Sequence, residues 1–420
     1  MKKYLSLFIF LFVLKNIFGS GFQINEQGSR AMGLGGAFAG LANDPSAIYF
    51  NPAGITQLCG THLIGGATLI IPSSTFRGPF PSITESAMKS QVFNPVHLYG
   101  THQILDKLFI GLGVGNNYGL GTEWDDEWVG RFMTIKTEIR TFFFNAVASY
   151  RIMNEVSVGF GYVFGYGDVL INRKLNLAPF NSEPSLNLEG TGYGSGFIAG
   201  IFIHPIPAVS LGLSFRSQVK FDFEGDATPK NYSSQFKDML PSGAITAPLT
   251  TPENITLGVA IRPLNSFTLT ADYQYVGWDS YDKLEVKFKD FIDSETGELL
   301  VSSSDRNYVN SFIARVGTEF ELNKTITARA GFLYDRNPVP DERLDPTLPD
   351  ADRMGLNIGG TYNLSENISV EAAYMFLRFA ERTITKSLEN NSGIENSNSP
   401  MNGVYNSTAN LMSITLGYKF

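Results

Sequence analysis

VSLGLSFRSQVKFDFE, residues 209–224, decides the architecture of this chain. Its odd positions, Val209, Leu211, Leu213, Phe215, Val219, Phe221 and Phe223, are apolar, with the single interruption of Ser217. Its even positions are Ser210, Gly212, Ser214, Arg216, Gln218, Lys220, Asp222 and Glu224. Successive side chains of a strand point to opposite faces, so this period of two predicts a strand with one apolar and one charged face. Strands of soluble sheets average about five or six residues, whereas crossing a bilayer takes about 9–11. The length points to a membrane-spanning strand with its apolar face against lipid.

The pattern recurs along the chain. Phe267–Tyr275 places Thr268, Thr270, Asp272 and Gln274 on its polar face, and Ile326–Tyr334 places Thr327 and Arg329 there. Met412–Phe420 sets Ser413, Thr415 and Lys419 opposite Met412, Ile414, Leu416, Tyr418 and Phe420. Fourteen such strands are expected, near 62–75, 94–104, 107–118, 137–151, 155–175, 189–204, 207–225, 251–262, 266–287, 306–322, 325–337, 352–363, 367–387 and 408–420. Six connections are short, at Leu105-Asp106, Met153-Asn154, Pro205-Ile206, Pro263-Leu264-Asn265, Asn323-Lys324 and Ser365-Glu366. Seven are long: 75–94, 118–137, 175–189, 225–251, 287–306, 337–352 and 387–408. An even strand number, with short turns at one end and long loops at the other, is the pattern of an outer-membrane barrel. The fold expected is all-β, a 14-stranded antiparallel transmembrane β-barrel. Aromatics gather toward strand ends, as interfacial girdles do: Tyr162, Phe164, Tyr166; Tyr273, Tyr275, Trp278; Tyr374, Phe376; Tyr418, Phe420.

The N-terminus carries the address. Lys2 and Lys3 precede the apolar run Tyr4–Leu14, and Gly19-Ser20-Gly21 follows. That run is too short to span a membrane and reads as a cleaved export signal over residues 1–20. No other stretch is apolar for about 18 residues, so no helix is expected to cross a membrane. A net charge of −8 supplies no basic footprint for nucleic acid. The single cysteine, Cys59, excludes an intrachain disulfide.

If apolar faces meet lipid, the lumen receives Arg216, Lys220, Asp222, Glu224, Asp272, Arg315, Glu319, Arg329 and Glu371. Fourteen strands enclose more space than side chains fill, so something must plug the lumen or pass through it. The candidate plug is residues 21–60, ahead of a barrel over 61–420. It is rich in small residues, as in "GLGGAFAGLA" at 33–42. It holds two helix starts, Asp44-Pro45 and Asn51-Pro52, each a capping residue before Pro. Gly60 is expected to end the second short helix. Its many apolar residues, Phe22, Ile24, Phe38 and Ile48 among them, make a free tail unfavourable.

Enzyme chemistry has little to stand on. Of the four histidines, His62, His97, His102 and His204, none falls in a spacing that pairs it with a nucleophile, and no metal-ligand spacing occurs. No catalytic residue, cofactor or metal is expected. A porin would lack the plug, and a structural barrel acting through its loops is the other alternative.

Several stretches resemble one family. "GFQINEQGSRAMGLGGAFAG" at 21–40 and "NDPSAIYFNPAGI" at 43–55 are similar to the mature N-terminus of the FadL/OmpP1/TodX outer-membrane transporters of long-chain fatty acids and hydrophobic compounds. "NNYGLGTEW" at 116–124, "FRSQVKFDFEGD" at 215–226, "YQYVGWDSYDKL" at 273–284 and "GFLYDRNPVPDERLDPTLPDADR" at 331–353 extend the resemblance in order along the mature chain. The resemblance implies a monomeric barrel closed by an N-terminal hatch. A hydrophobic ligand is caught by extracellular loops, bound inside, and released sideways into the outer membrane through a gap at a kinked third strand, with no cofactor. It implies a hatch contribution to binding from Phe22, Asn51, Pro52 and Ala53. It implies an outer apolar groove at Trp124, Trp128, Phe132 and Met133, and a kink at Gly115, Asn116 and Asn117. It implies a basic partner for the ligand head at Arg173 or Arg353. The family's lysine ahead of its tenth strand is matched by Tyr308 and Val309, with Arg306 nearby, which keeps an uncharged aromatic hydrocarbon beside fatty acids as the ligand.

Overall fold

The computed structural model describes residues 21–177, 180–293, 296–389 and 399–420; the expected export signal lies outside them. One closed antiparallel sheet forms a barrel of fourteen strands. They are β1 Thr61–Arg77, β2 Val96–Leu105, β3 Leu108–Gly115 continued by Gly119–Glu123, β4 Lys136–Met153, β5 Val156–Lys174 and β6 Ser185–Ile206. Then follow β7 Val209–Arg216 continued by Val219–Lys230, β8 Gly243–Thr251 continued by Asn254–Leu264, and β9 Phe267–Val276 continued by Lys283–Ile292. The last five are β10 Leu299–Asp305 continued by Ser311–Glu321, β11 Ile326–Asp335, β12 Arg353–Asn363, β13 Ile368–Phe379 and β14 Gly403–Lys419. β14 closes on β1 from His62↔Lys419 to Arg77↔Val404. Two stretches read from sequence as loop, Gly243–Thr251 and Leu299–Asp305, are strand; the first hides its character behind Pro248 and small residues.

The interruptions in β7, β8, β9 and β10 fall in one layer. Tyr118, inside the break of β3, donates to the carbonyl of Pro252, inside the break of β8, at 3.3 Å, so β3 joins that layer across the lumen. Below it the barrel obeys the membrane rule. Leu211, Leu213, Leu269, Val316, Leu356, Ile358 and Ile414 face outward, and Ser210, Ser214, Thr270, Asp272, Arg315, Glu319 and Thr415 are buried inside. Above it the rule inverts. Val219, Phe221, Phe223, Ile245, Leu249, Val286 and Phe288 are buried in the lumen, while Lys220, Asp222 and Glu224 point out. Lys220, Asp222 and Glu224 are therefore not lumen residues as the alternation suggested. The break at Ser217-Gln218 resets which face is which, and above the membrane an apolar face has to turn inward to leave water.

Residues 21–58 lie inside the barrel, and Cys59 and Gly60 are exposed where the chain enters β1. A short helix, α1, spans Ser29–Gly33; a second, α2, spans Ala47–Phe50; a 3-10 turn spans Pro52–Gln57. Asn51 caps the last of these, its Oδ1 accepting from the Ala53 amide at 3.2 Å. α2 starts at Ala47 rather than at Pro45, and Asp44 holds its entry by accepting from the Ser46 amide at 2.8 Å and hydroxyl at 2.6 Å. Gly60 does not end a helix. It sits at φ +81°, three residues past Gln57, and turns the chain into β1.

The polar lumen of the lower half is bound up with this insert. Asp272 accepts from the amides of Phe38 at 2.8 Å and Ala39 at 2.7 Å. Arg30 bridges Glu319 at 3.0 Å, and Arg329 meets the same carboxylate at 2.5 Å. Wall glycines let the two backbones touch: a Cβ on Gly258 would lie 2.4 Å from the Gly40 nitrogen.

Candidate functional site

The third strand is where the wall fails. Of the two runs of β3, Leu108–Gly115 alone pairs with β2, and Gly119–Glu123 pairs with β4 only. Between them Asn116, Asn117 and Tyr118 leave the ladder, so the expected kink at Gly115, Asn116 and Asn117 falls at the end of the lower run. Asn116 holds the bend together: its Oδ1 accepts from Val96 N at 2.7 Å and its Nδ2 donates to Thr141 O at 2.6 Å.

The front of the insert grips this bend from inside. Ile24 N donates to Asn117 O at 2.8 Å, Gly119 N to Phe22 O at 2.9 Å, and Gln27 Nε2 to Asn116 O at 2.7 Å. Phe22 stands edge-on to Tyr118, Trp278 and Tyr281, with ring centres 5.9, 5.0 and 5.8 Å away. Trp278, read from sequence as a girdle residue, is fully buried in this cluster. Its place follows from the break in β9, which carries it inward.

Two cavities meet at Phe22. The smaller, about 170 Å³, lies in the upper half and is lined by Val169, Ile171, Leu188, Phe223, Leu249, Tyr281 and Val286, with Arg173 among them. The larger, about 750 Å³, is lined by the insert front, by Leu333, Met375 and Leu411, and by Val92–Val96 ahead of and at the start of β2. It also touches Glu138, Arg140 and Phe142. These alternate with the buried, inward-facing Thr137, Thr141 and Phe143 of β4, so the larger cavity reaches the outer face of the wall at the β3 gap. Phe22, Leu120, Ile139 and Leu348 line both cavities, at the boundary between them. Glu26, in the insert front, faces the larger cavity, and burial lifts its carboxyl above the usual range against the opposing pull of its own amide, Arg315 and Arg353.

The expected residues sort differently once placed. Arg173 lines the smaller cavity and has no acceptor among the described residues. Arg353 lines the larger one but is occupied, bonding Asp350 at 2.6 Å and the carbonyl of Gly21. Arg306 is likewise taken by Asp345. Asn51, Pro52 and Ala53 line neither cavity. Asn51 Nδ2 donates to Ile201 O at 3.0 Å and Pro52 O accepts from Ser149 at 2.7 Å, so they anchor the insert to the wall. Trp124, Trp128 and Phe132 form no open groove. The two indoles stack at 4.4 Å, their N–H groups donate to Pro346 O and Thr134 O, and all three side chains are buried. Trp128 donates within its own loop and Trp124 to the loop after β11, so the two loops close over the indoles. Of the four, Met133 alone lines a cavity, the smaller. Leu120, Tyr118 and Tyr281 were not singled out from sequence; the first two lie in "NNYGLGTEW" at 116–124 and the third in the aromatic stretch "YQYVGWDSYDKL" at 273–284. Among the described residues no His, Cys, Asp or Glu group is arranged to hold a metal.

The family model for outer membrane protein transport proteins (OMPP1/FadL/TodX) matches residues 11–420. The chain belongs to this family. It is therefore an outer-membrane transport protein. The long-chain fatty acid transport protein of Escherichia coli O6:H1 is 28% identical over 395 residues, covering 85% of this chain and 86% of that one. Outer membrane protein P1 of Haemophilus influenzae is 24% identical over 453 residues, covering 96% and 95%. Among solved structures, a FadL homologue of Pseudomonas aeruginosa superposes with a TM-score of 0.84 at 19% identity, over 96% of this chain and all of that one. The Ralstonia pickettii toluene transporter TbuX superposes with 0.68 at 16%, over 96% and 99%. These superpositions establish the shared barrel and hatch architecture.

Proposed function

We propose that the chain takes up long-chain fatty acids passively across the outer membrane. Residues 1–20 are removed as an export signal, 21–60 serve as the hatch and 61–420 as a monomeric barrel, with no cofactor and no chemistry performed on the ligand. The observation that carries this reading is Arg173, a cation with no acceptor among the described residues, on a mainly apolar cavity wall where Arg306 and Asp345 are paired with each other. A charge in such a place calls for an anion, and a carboxylate on a greasy chain satisfies both the charge and the walls. The relatives named as fatty acid transporters point the same way.

The route follows the polarity of the lumen. A chain caught by the outer loops enters the apolar upper half and leaves its carboxylate at Arg173. The rest of it runs past Phe22 and Leu120 into the larger cavity. Downward passage is unfavourable, because the lower lumen is polar and its groups are bonded to the hatch. The gap at β3 offers lipid instead, where each methylene gains roughly 0.8 kcal/mol relative to water. Displacing Phe22 from its aromatic neighbours is the step that opens one cavity to the other.

Aromatic hydrocarbons are the second reading, favoured by size. The smaller cavity, about 170 Å³, is close to the roughly 150 Å³ apolar cavity that binds benzene in an engineered protein. Arg173→Gln separates the two. Oleate binding to the purified protein is expected to weaken by about 10- to 150-fold, the equivalent of about 1.5–3 kcal/mol for a hydrogen bond to a charged group, with toluene binding unmoved. Unchanged oleate affinity removes Arg173 from the head-group role; a wild-type protein that binds toluene and not oleate selects the second reading.

A further inference from the structure

We propose that Phe93 is the residue that sets what can leave the larger cavity sideways, an inference that rests on the uptake reading above. The β3 gap is not an empty slit. Above Val96 and Gly115 there is no ladder between β2 and β3, and the chain ahead of β2, residues 88–95, occupies that space. Its two ends are tied to β3: Lys89 N donates to Glu123 O at 2.7 Å, and Val96 N to Asn116 Oδ1 at 2.7 Å. Between them, no hydrogen bond among the described residues joins 90–95 to 117–122. Side chains alone close this stretch of wall.

The closing group is the Phe93 ring. It covers Gly121, where a Cβ would stand only 1.9 Å from the ring's Cζ. Glycine at 121 is what gives the ring a seat. Both residues line the larger cavity, as do Arg140 and Phe142 on the outer side of β4. The backbone of Phe93 is fixed from the other side: its N–H donates to Ile70 O at 2.9 Å and its carbonyl accepts from Ile70 N at 2.8 Å. Thr68 N donates to Pro95 O at 2.9 Å. The strap is thus pinned to β1 while the ring reaches across unbonded. Rotation about the side chain, with the strap in place, opens the wall by the width of one phenyl ring. Such rotations are far faster than loop or hatch rearrangements.

An aperture of this kind discriminates by cross-section. A methylene chain slips past a turned ring; a fused ring system does not. Phe93 therefore acts on which hydrophobes are released, and Arg173 on which are bound.

The test uses the full chain in an outer-membrane host lacking its own hydrophobe uptake. Uptake of labelled oleate and labelled pyrene is measured in cells, and oleate binding is measured on the purified protein in detergent. Phe93→Ala is expected to raise the pyrene-to-oleate uptake ratio about tenfold, the low end of what a methylene-scale change in an apolar site yields. Oleate binding, to which Phe93 contributes as part of the larger cavity's lining, is expected to change less than the uptake ratio does, and Phe93→Tyr keeps the wild-type ratio. A Phe93→Ala ratio equal to wild type overturns the proposal. If that variant fails to reach the heat-modifiable folded form, Phe93→Leu replaces it, with a smaller rise expected and an unchanged ratio again overturning the idea. A wild-type protein that neither binds nor takes up oleate or pyrene fails the uptake reading itself, and Phe93 with it.

Discussion

Below Ser217-Gln218, β7 shows Leu211 and Leu213 to the outside and buries Ser210 and Ser214; above it, the same strand buries Phe221 and Phe223 and shows Lys220 and Asp222. The two runs share one alternation and use it in opposite senses. What differs is the medium beyond the wall. Lipid asks for an apolar exterior, and the inside, filled by the hatch, takes the polar groups. Outside the membrane, water takes the charges and the lumen becomes the only apolar refuge. The layer of strand breaks is where one regime hands over to the other, and Phe22, Tyr118 and Trp278 stand in it. The polarity step thus falls at the level of the β3 gap, where the larger cavity reaches the outer face of the wall.

Substitutions that hold the parity and change the half break this comparison most strongly. Phe221 has no exposed surface, so Phe221→Ala is expected to cost about 3–5 kcal/mol as a core truncation. Leu213 is 38% exposed and faces lipid. Leu213→Ala is then mild, whereas Leu213→Arg is expected to cost about 2–4 kcal/mol, falling as the site approaches the interface. Lys220→Leu, on the exposed face of the upper run, should be close to neutral. Urea unfolding in lipid vesicles reads all four. A Leu213→Arg variant as stable as wild type would mean that this strand does not face lipid there.

Much of this was legible in the sequence. The fourteen strands, the alternation of short turns and long loops and the plug ahead of β1 follow from period, length and composition, and the bend at Gly115-Asn116-Asn117 from the family resemblance. The inversion at Ser217-Gln218 was not. A two-residue break leaves every apolar residue on an odd number, so the period is blind to it, and nothing local states whether water or lipid lies beyond. Trp124 and Trp128 misled for a related reason. Large aromatics in a long loop look like an open groove, and only the partners Pro346 and Thr134 reveal a sealed loop core. Asn51-Pro52-Ala53 was read correctly as a cap and helix start, but its contacts run to Ile201 and Ser149 in the wall, 150 and 97 residues away from their partners in sequence.

The hatch sharpens the comparison at an intermediate scale. The lower half is filled by backbone lying on backbone, and the outer loops are not. A methyl on Gly258 meets the Gly40 nitrogen at 2.4 Å, whereas one on Gly78, in the loop after β1, meets nothing nearer than Ser82 at 3.5 Å. Gly258→Ala is expected to cost about 1–3 kcal/mol by overpacking and to lift the hatch from its seat near Asp272. Planar-bilayer recordings should then show ion conductance above wild type, with Gly78→Ala unchanged. Equal conductance in the two variants would place the seal elsewhere.

The smallest effect is expected in the outer half and comes from proton binding. Glu389, in the loop after β13, is buried, and burial together with the charge of Asp345 pushes its carboxyl up from 4.5 to about 7, against Arg306 and Arg343. The folded value lies above the unfolded one. The protonated carboxyl therefore favours the folded loop, fully below about pH 4.5, and that contribution is lost as the pH rises toward 7. Arg306 and Arg343 offset part of the effect, which is why it ranks last. Amide exchange around residues 399–403, corrected for the intrinsic rate, should be slower at pH 5 than at pH 8, with β11 and β12 in the membrane half as the reference. Glu389→Gln keeps the neutral side chain at every pH and should hold the slow rate throughout. If the glutamine variant keeps the wild-type pH dependence, another group of the outer loops carries it, and Glu389 is only buried there.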